Sequence, residues 1–145
     1  MSVSLNTPAD AVAYFLDSQG YGEEAPIRVG FRTQDDVQIT CTDYAVRHDG
    51  SLMATGGILD APLVQIRVRH DDYPTAYSLI RRIRDELAAL KPTDEFVTEY
   101  DYGSYVFASF HVTSGPIYMG RDPKPGQIEN FSLNGEVVLI PFTSP

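Results

Sequence analysis

Residues 63–90 read LVQIRVRHDDYPTAYSLIRRIRDELAAL, and this stretch decides the fold. At its start Val64, Ile66 and Val68 alternate with polar side chains, which is the pattern of a half-buried β-strand. Pro74 then suits the first turn of a helix. Apolar residues follow at three- and four-residue steps, as in a helix with one buried face: Ala76, Leu79, Ile80, Ile83, Leu87 and Leu90. The stretch therefore predicts a strand that runs into an amphipathic helix.

The polar side of the predicted strand carries two arginines in a chain that is otherwise acidic. Arginine is enriched in protein interfaces, so two interpretations stay open for this side, a solvated sheet face and a charged contact with a neighbouring subunit. The helix start and the outer face of the helix offer further polar candidates. The residues predicted to make subunit contacts are Gln65, Arg67, Arg69, Asp71, Asp72, Tyr73, Arg81 and Arg82.

Other elements precede this unit in the chain. Thr7-Pro8-Ala9-Asp10 combines a capping hydroxyl, a proline and an acid in the order of a helix start, and Gly20 suits the stop, which predicts a helix of about three turns. Alternation predicts strands at residues 27–31 and 37–42, joined by a hairpin turn at residues 34–36.

A long loop is predicted from Asp43 to Ala61, where the alternation fades and glycines gather, with room for one short strand around Leu52. Long connections in compact domains are often functional. The residues predicted to reach another protein come from this loop and from the turn at residues 120–126. They are Asp49, Gly50, Ser51, Leu52, Met53, Arg121, Asp122 and Lys124.

The last third of the chain predicts strands at residues 96–100, 105–113, 117–119 and 127–142. The Asn134-Gly135 pair inside the last of them is either a hairpin turn or a bulge in one long strand. Two helices and about six strands predict an α+β fold, a mostly antiparallel sheet with both helices packed on one face. Residues 1–145 are predicted to form a single domain.

Charge and composition exclude several classes of protein. The chain has 20 acidic and 11 basic residues, a net charge of −9, which argues against tight binding of nucleic acid because that requires lysine and arginine to replace phosphate counterions. The single cysteine, Cys41, excludes an intrachain disulfide framework and favours a reducing compartment. No basic segment followed by an apolar run opens the chain, and no apolar stretch of about 18 residues occurs, so neither a leader peptide nor a membrane span is expected.

No catalytic group emerges from the sequence. The three histidines lack the spacing of a metal-binding pair, and the strand pattern puts the Cys41 thiol on the buried side. The acid pairs at residues 35–36 and 71–72 fit a turn and a helix start. We therefore expect no catalytic, metal-binding or cofactor-binding residues, and no enzyme activity. The histidines are His48, His70 and His111.

Residues 61–77, APLVQIRVRHDDYPTAY, and the helix after them resemble the core of the tail terminator and minor capsid proteins of long-tailed phages. GPIYMGRD at 115–122 and ENFSLN at 129–134 resemble the close of the same family. The resemblance implies a virion protein of the tail–head junction, assembled in the host cytoplasm. It implies a ring, usually hexameric, that caps the tail tube, stops its polymerisation and presents a surface to the head connector or a completion protein.

The acidic balance is compatible with a ring through which DNA passes without specific binding, by the counterion argument above. Two alternatives stay open. One is another head–tail joining protein, a completion or stopper protein, which also forms rings. The other is a small α+β enzyme or ligand-binding module with tyrosine and aspartate side chains in a site between the sheet and the helices.

Overall fold

The computed structural model describes residues 8–30, 37–48, 60–90, 97–100, 103–122 and 128–141. These form two helices and six strands, with a short 3₁₀ turn at Tyr21–Glu23. In chain order they are α1 (Pro8–Ser18), β1 (Ile27–Val29), β2 (Gln38–His48), β3 (Asp60–His70), α2 (Tyr73–Ala88), β4 (Val97–Tyr100), β5 (Gly103–Arg121) and β6 (Glu129–Pro141). The strands make one sheet in the order β1-β2-β3-β6-β5-β4, in which the β1–β2 pair is parallel and the others are antiparallel.

The predicted strand at the start of residues 63–90 is confirmed as part of β3, which lies between β2 and β6. Directly paired residues point to the same face of a sheet, so the apolar positions of the three strands form one layer. Two rows cross the sheet in this layer, Ile39–Val68–Phe131 and Cys41–Ile66–Leu133. All six side chains are at most 2% exposed and belong to the core cluster.

Both helices cover this layer, which confirms the predicted α+β class with two helices on one face of a mostly antiparallel sheet. α1 packs over β1 and β2, and α2 packs over β6 and β5, while both contact β3. The α2 stripe predicted from the sequence is the buried one, since Leu79, Ile80 and Ile83 are at most 1% exposed. None of the described helices is long and apolar enough to cross a bilayer.

The helix ends follow the predicted local signals. The carboxylate of Asp72 accepts a hydrogen bond from the backbone nitrogen of Thr75 at 3.2 Å, and Pro74 lies in the first turn of α2. This satisfies an amide that the first turn leaves without a helical partner. α1 begins at Pro8, and Gly20 beyond its end has a positive φ of 91°, which a residue without a side chain adopts at little cost.

The hairpin predicted between the first two strands is wrong, because β1 and β2 run parallel with Ile27 opposite Ile39 and Val29 opposite Cys41. Alternation shows which side chains face the core, and it does so equally for a parallel and an antiparallel neighbour. The turn proposed at residues 34–36 lies outside the described residues.

The long loop predicted from Asp43 to Ala61 is wrong at both ends. β2 continues to His48 and β3 begins at Asp60, with His48 paired to Asp60 and a register shift between Asp43 and Ala45. Backbone hydrogen bonds between the two strands continue after side-chain alternation has stopped. The strand suggested around Leu52 falls outside the described residues.

The two strands predicted at 105–113 and 117–119 are one strand, β5, with four shifts of register against β6. Asn134-Gly135 lies in the middle of β6, so the hairpin alternative is wrong and the segment is part of one long strand. The bulge expected there lies in β5 instead, between Val112 and Ser114, since β6 pairs with β3 without a shift. Gly135 is paired on both sides, with Val64 of β3 and Val112 of β5. These two pairings hold the segment extended in spite of its turn propensity.

Candidate functional site

Exposed apolar side chains gather where α2 begins and β5 ends. Three of the six exposed large hydrophobic side chains in the described part of the chain, Tyr73, Tyr77 and Tyr118, lie here and are between 42% and 46% exposed. Ile117 and Met119 are also exposed on β5, but Ile117 pairs with Ser132 and so points to the opposite face of the sheet. Single exposed apolar side chains are normal on a protein surface, whereas a cluster of this kind marks an interaction site. We call Tyr73, Tyr77 and Tyr118 the tyrosine face.

The tyrosine face rests on one buried ring, that of Phe131, which is 2% exposed. The ring centroids of Tyr73, Tyr77 and Tyr118 lie 5.3, 5.8 and 5.3 Å from the Phe131 centroid. Tyr73 and Tyr118 also meet edge to face, at 5.4 Å and 70°. These are favourable aromatic geometries, so the three rings are held in place before any partner arrives.

A buried carboxylate fixes one side of the tyrosine face. The Tyr118 hydroxyl donates to Oε2 of Glu129 at 2.6 Å, and Nε of Arg121 donates to Oε1 at 2.6 Å. The hydrogen bond from Tyr118, with a further contribution from Arg121, lowers the pKa of Glu129 below its usual value, and the same bond raises the pKa of Tyr118. Charge-assisted bonds of this kind orient the Tyr118 ring.

An arginine lies at the rim of the tyrosine face. The guanidinium of Arg81, an exposed residue, lies 5.5 Å from the ring centroid of Tyr77, four residues earlier on α2. Such a cation–π contact favours one arrangement of the arginine without using its five hydrogen-bond donors. Tyrosine and arginine are the residue types that carry most energy in protein interfaces.

The β5 end beside the tyrosine face is an edge of the described sheet, because β4 pairs only with residues 103–106 of β5. Edge strands invite pairing with a strand of another chain unless something interrupts them. Here the register shifts near Ser114 and Tyr118, and Pro116 has no amide hydrogen to donate. Contact through the exposed side chains is therefore favoured over addition of a strand.

A second surface lies at the other end of the helical layer, in a wide groove of about 470 Å³ between α1 and β1. Asp10, Tyr14 and Asp17 line it from one face of α1, and Arg28 lines it from β1. Tyr14 is 39% exposed and is the sixth exposed large hydrophobic residue of the described chain. We call this the acidic groove, since two carboxylates and one guanidinium line it.

The subunit-contact residues predicted on β3 are less accessible than an open sheet face would be. Arg69 is 7% exposed and its guanidinium bonds to the carboxylate of Asp122 at 2.6 Å, so the solvated-face interpretation does not hold for it. Gln65 and Arg67 are half-buried. Nε of Arg67 and Oδ1 of Asn134 are buried and have no hydrogen-bond partner in the described part of the chain.

The remaining predicted contact residues are spread along α2. Asp72 caps the helix, and Asp71 lies beside His70 at 3.0 Å. Arg82 is bonded within the chain, since its two terminal nitrogens reach the carboxylate of Glu24 at 3.0 and 2.6 Å. Of the predicted contact residues, Tyr73 belongs to the tyrosine face and Arg81 lies at its rim.

The predicted partner-contact loops are described only in part. Arg121 and Asp122 are bonded to Glu129 and Arg69, which holds the end of β5 against neighbouring strands. Asp49, Gly50, Ser51, Leu52, Met53 and Lys124 lie outside the described residues.

Asp122→Asn should lower the free energy of unfolding by about 1–3 kcal/mol, because the buried guanidinium of Arg69 would lose a charged acceptor. Urea unfolding followed by circular dichroism measures this change. Asp85→Asn is the matched control, since Asp85 accepts from neighbouring Arg84 at an exposed position, where an ion pair contributes about 0–1 kcal/mol. Equal losses in the two variants would contradict the structural role of Asp122.

Sequence reasoning missed most of the tyrosine face. Tyr77, Tyr118 and Phe131 all lie in segments that resemble the phage family, but the sequence predicts a partner contact for none of them. The four-residue spacing of Tyr73 and Tyr77 with Arg81 after them was a usable signal of a tyrosine-arginine strip on α2. Nothing local indicates that Tyr118 joins them from β5.

The described residues hold no group of three or more histidine, cysteine, aspartate or glutamate side chains that could bind a metal ion. Cys41 is fully buried as predicted, and burial raises the pKa of its thiol to about 12, with the nearby carboxylates of Asp43 and Asp10 adding to the shift. No protein-family model matches the chain, and no curated protein resembles it closely enough to count as a relative.

Proposed function

We propose that this protein is a tail terminator of a long-tailed phage, which forms a ring on the end of the tail tube, stops its polymerisation and receives the head. The strongest support for the proposal is the tyrosine face, with Arg81 at its rim. It is a pre-arranged protein-binding surface with interface composition. The sequence resemblance at residues 61–77, 115–122 and 129–134 is the reason for proposing a phage tail as the assembly that this surface joins.

The positions of these motifs support the proposal further. Residues 115–122 contribute Tyr118, and residues 129–134 contribute Phe131, so the segments that resemble the family meet in the tyrosine face. The net charge of −9 suits a channel protein through which DNA slides, since few basic residues are available to hold phosphates. The proposed partners are other copies of the chain, the tail tube protein and the head connector or completion protein.

Another head–tail joining protein is the alternative within the same class. The remaining alternative is a small enzyme or ligand-binding module. The acidic groove favours it in one respect, because tyrosine and aspartate side chains line the groove as that alternative predicts. It is a wide, charged cleft, however, and ligand sites are usually enclosed and mostly apolar. The terminator proposal is therefore preferred.

Electron microscopy of tails from phage that lack this protein tests the proposal. Overlong tubes without heads are expected, and supplying the wild-type protein should restore uniform length. A Tyr77→Asp variant should fail to restore it, whereas Ser78→Ala, a change at the next exposed position of α2, should restore it fully. Tails of normal length without heads would instead assign the protein to head–tail joining, and normal virions would exclude both roles.

A further inference from the structure

The tyrosine face and the acidic groove lie at opposite ends of the helical layer. The groove is formed by α1 and β1, at the β1 edge of the sheet, and the tyrosine face is formed by α2, β5 and β6 near the other edge. Two different surfaces at opposite ends of a subunit are what a head-to-tail contact between identical copies requires.

The two surfaces are chemically complementary. The tyrosine face presents aromatic rings with a guanidinium at the rim, and Arg81 is engaged there only through the ring of Tyr77 among the contacts described. The acidic groove presents the exposed ring of Tyr14 together with the carboxylates of Asp10 and Asp17, which outnumber the one guanidinium there, that of Arg28. Arginine forms strong paired hydrogen bonds with carboxylates, and aromatic rings pair well at their edges.

Asp17 is the carboxylate best placed to receive a cation. It is exposed, and its Oδ1 lies over Gly22, where an added Cβ would be 2.7 Å away. The absence of a side chain at Gly22 therefore leaves room for this carboxylate at the groove wall. With a volume of about 470 Å³, the groove is large enough to admit side chains of a partner.

Pairing of the tyrosine face with itself is less favourable. A symmetric dimer would set the tyrosine face against itself, and the carboxylate within that surface, Glu129, is already bonded to Tyr118 and Arg121. A head-to-tail contact instead places each Arg81 against an acidic surface and repeats from copy to copy, closing into a ring when the rotation allows.

We propose that the tyrosine face of one copy docks into the acidic groove of a second copy, with Arg81 of the first against Asp17 of the second. This inference rests on the proposed ring-forming function and identifies the two surfaces of its subunit contact. It assigns a binding role to α1, which the sequence did not connect with any partner.

Charge exchange on the purified full-length chain tests the docking. Arg81→Glu and Asp17→Arg should each weaken self-association about tenfold or more, because each places like charges together. The double variant carries both changes in every copy, so it recreates the ion pair with reversed polarity and should associate within about threefold of wild type. Sedimentation velocity measures association up to about 1 mM, and negative-stain microscopy shows whether the product is a ring.

Ala89→Glu is the control, since Ala89 is exposed at the end of α2, two turns beyond Arg81, and the added charge should leave association unchanged. Thermal unfolding of each variant checks that these exposed substitutions leave the fold intact. Single variants that associate like wild type, or a double variant that stays weakened, would overturn the contact. Symmetric dimers would overturn the head-to-tail arrangement.

A wild-type chain that remains monomeric at about 1 mM would likewise overturn docking between copies. The terminator function would then still be decided separately, by tail length in phage that lack the protein. Rings that persist in every variant would refute the assigned surfaces while leaving the proposed function in place.

Discussion

Phe131→Ala should lower the free energy of unfolding by about 3–5 kcal/mol, the largest loss expected from a single truncation in the described core. Phe131 is 2% exposed and belongs to the apolar row that β2, β3 and β6 share. Its removal opens a cavity under α2 and withdraws the ring on which the tyrosine face rests. Chemical denaturation followed by circular dichroism measures the change.

Met119→Ala is the matched control for this prediction, because Met119 follows Tyr118, the β5 residue that pairs with Phe131, but is 51% exposed. Its truncation should change the free energy of unfolding by about 0.5 kcal/mol or less, as is usual for surface positions. A loss below about 1 kcal/mol for Phe131→Ala would contradict its position in the core.

Gly135→Ala should lower the free energy of unfolding by about 1–3 kcal/mol, although it adds only a single methyl group. A Cβ at this position would lie 2.2 and 2.3 Å from Cε1 and Cζ of Phe110 and 2.8 Å from the carbonyl oxygen of His111. The last of these is backbone on the paired strand, so the strands themselves would have to move apart. Thermal and chemical unfolding measure the effect.

The Phe110→Ala background separates this clash from other effects of the added methyl group. Without the Phe110 ring, Gly135→Ala should cost less than in wild type, because two of the three close contacts disappear. The difference between the two backgrounds is the interaction energy of the pair. Equal costs in both backgrounds would show that the Phe110 ring is not the obstacle.

Local signals in the sequence predicted the helices and the central strand correctly. The Asp72 cap, Pro74 and the apolar steps of α2 all act within a few residues, so they can be read without knowing the rest of the fold. The buried face of β3 was also predictable, since Ile66 and Val68 must share one side of any strand they form.

Features that depend on distant pairing were not predictable in this way. The parallel direction of β1 follows from its neighbour β2, and Asn134-Gly135 stays extended because β3 and β5 bond to β6 on both sides. In both cases the tertiary arrangement overrode the local turn and alternation signals.

In the candidate site too, local features were predictable from the sequence and contacts between distant residues were not. The sequence predicts Arg69 to contact a neighbouring subunit, whereas in the structure its guanidinium is bonded to Asp122, 53 residues away in the chain. Tyr118 meets Tyr73 only because β5 folds back beside α2. Residue type and spacing indicate which side chains can bind a partner, and the fold decides which of them share a surface.

Because Cys41 is buried, the reaction of its thiol with a labelling reagent reports local unfolding of β2. Cys41 is the single cysteine of the chain, it lies in the middle of β2 with no exposed surface, and its raised pKa leaves almost no thiolate at neutral pH. Thiol reagents attack the thiolate, so labelling has to wait until β2 separates from the core. The labelling rate in native buffer therefore measures how often that separation occurs, without any added dye or engineered residue.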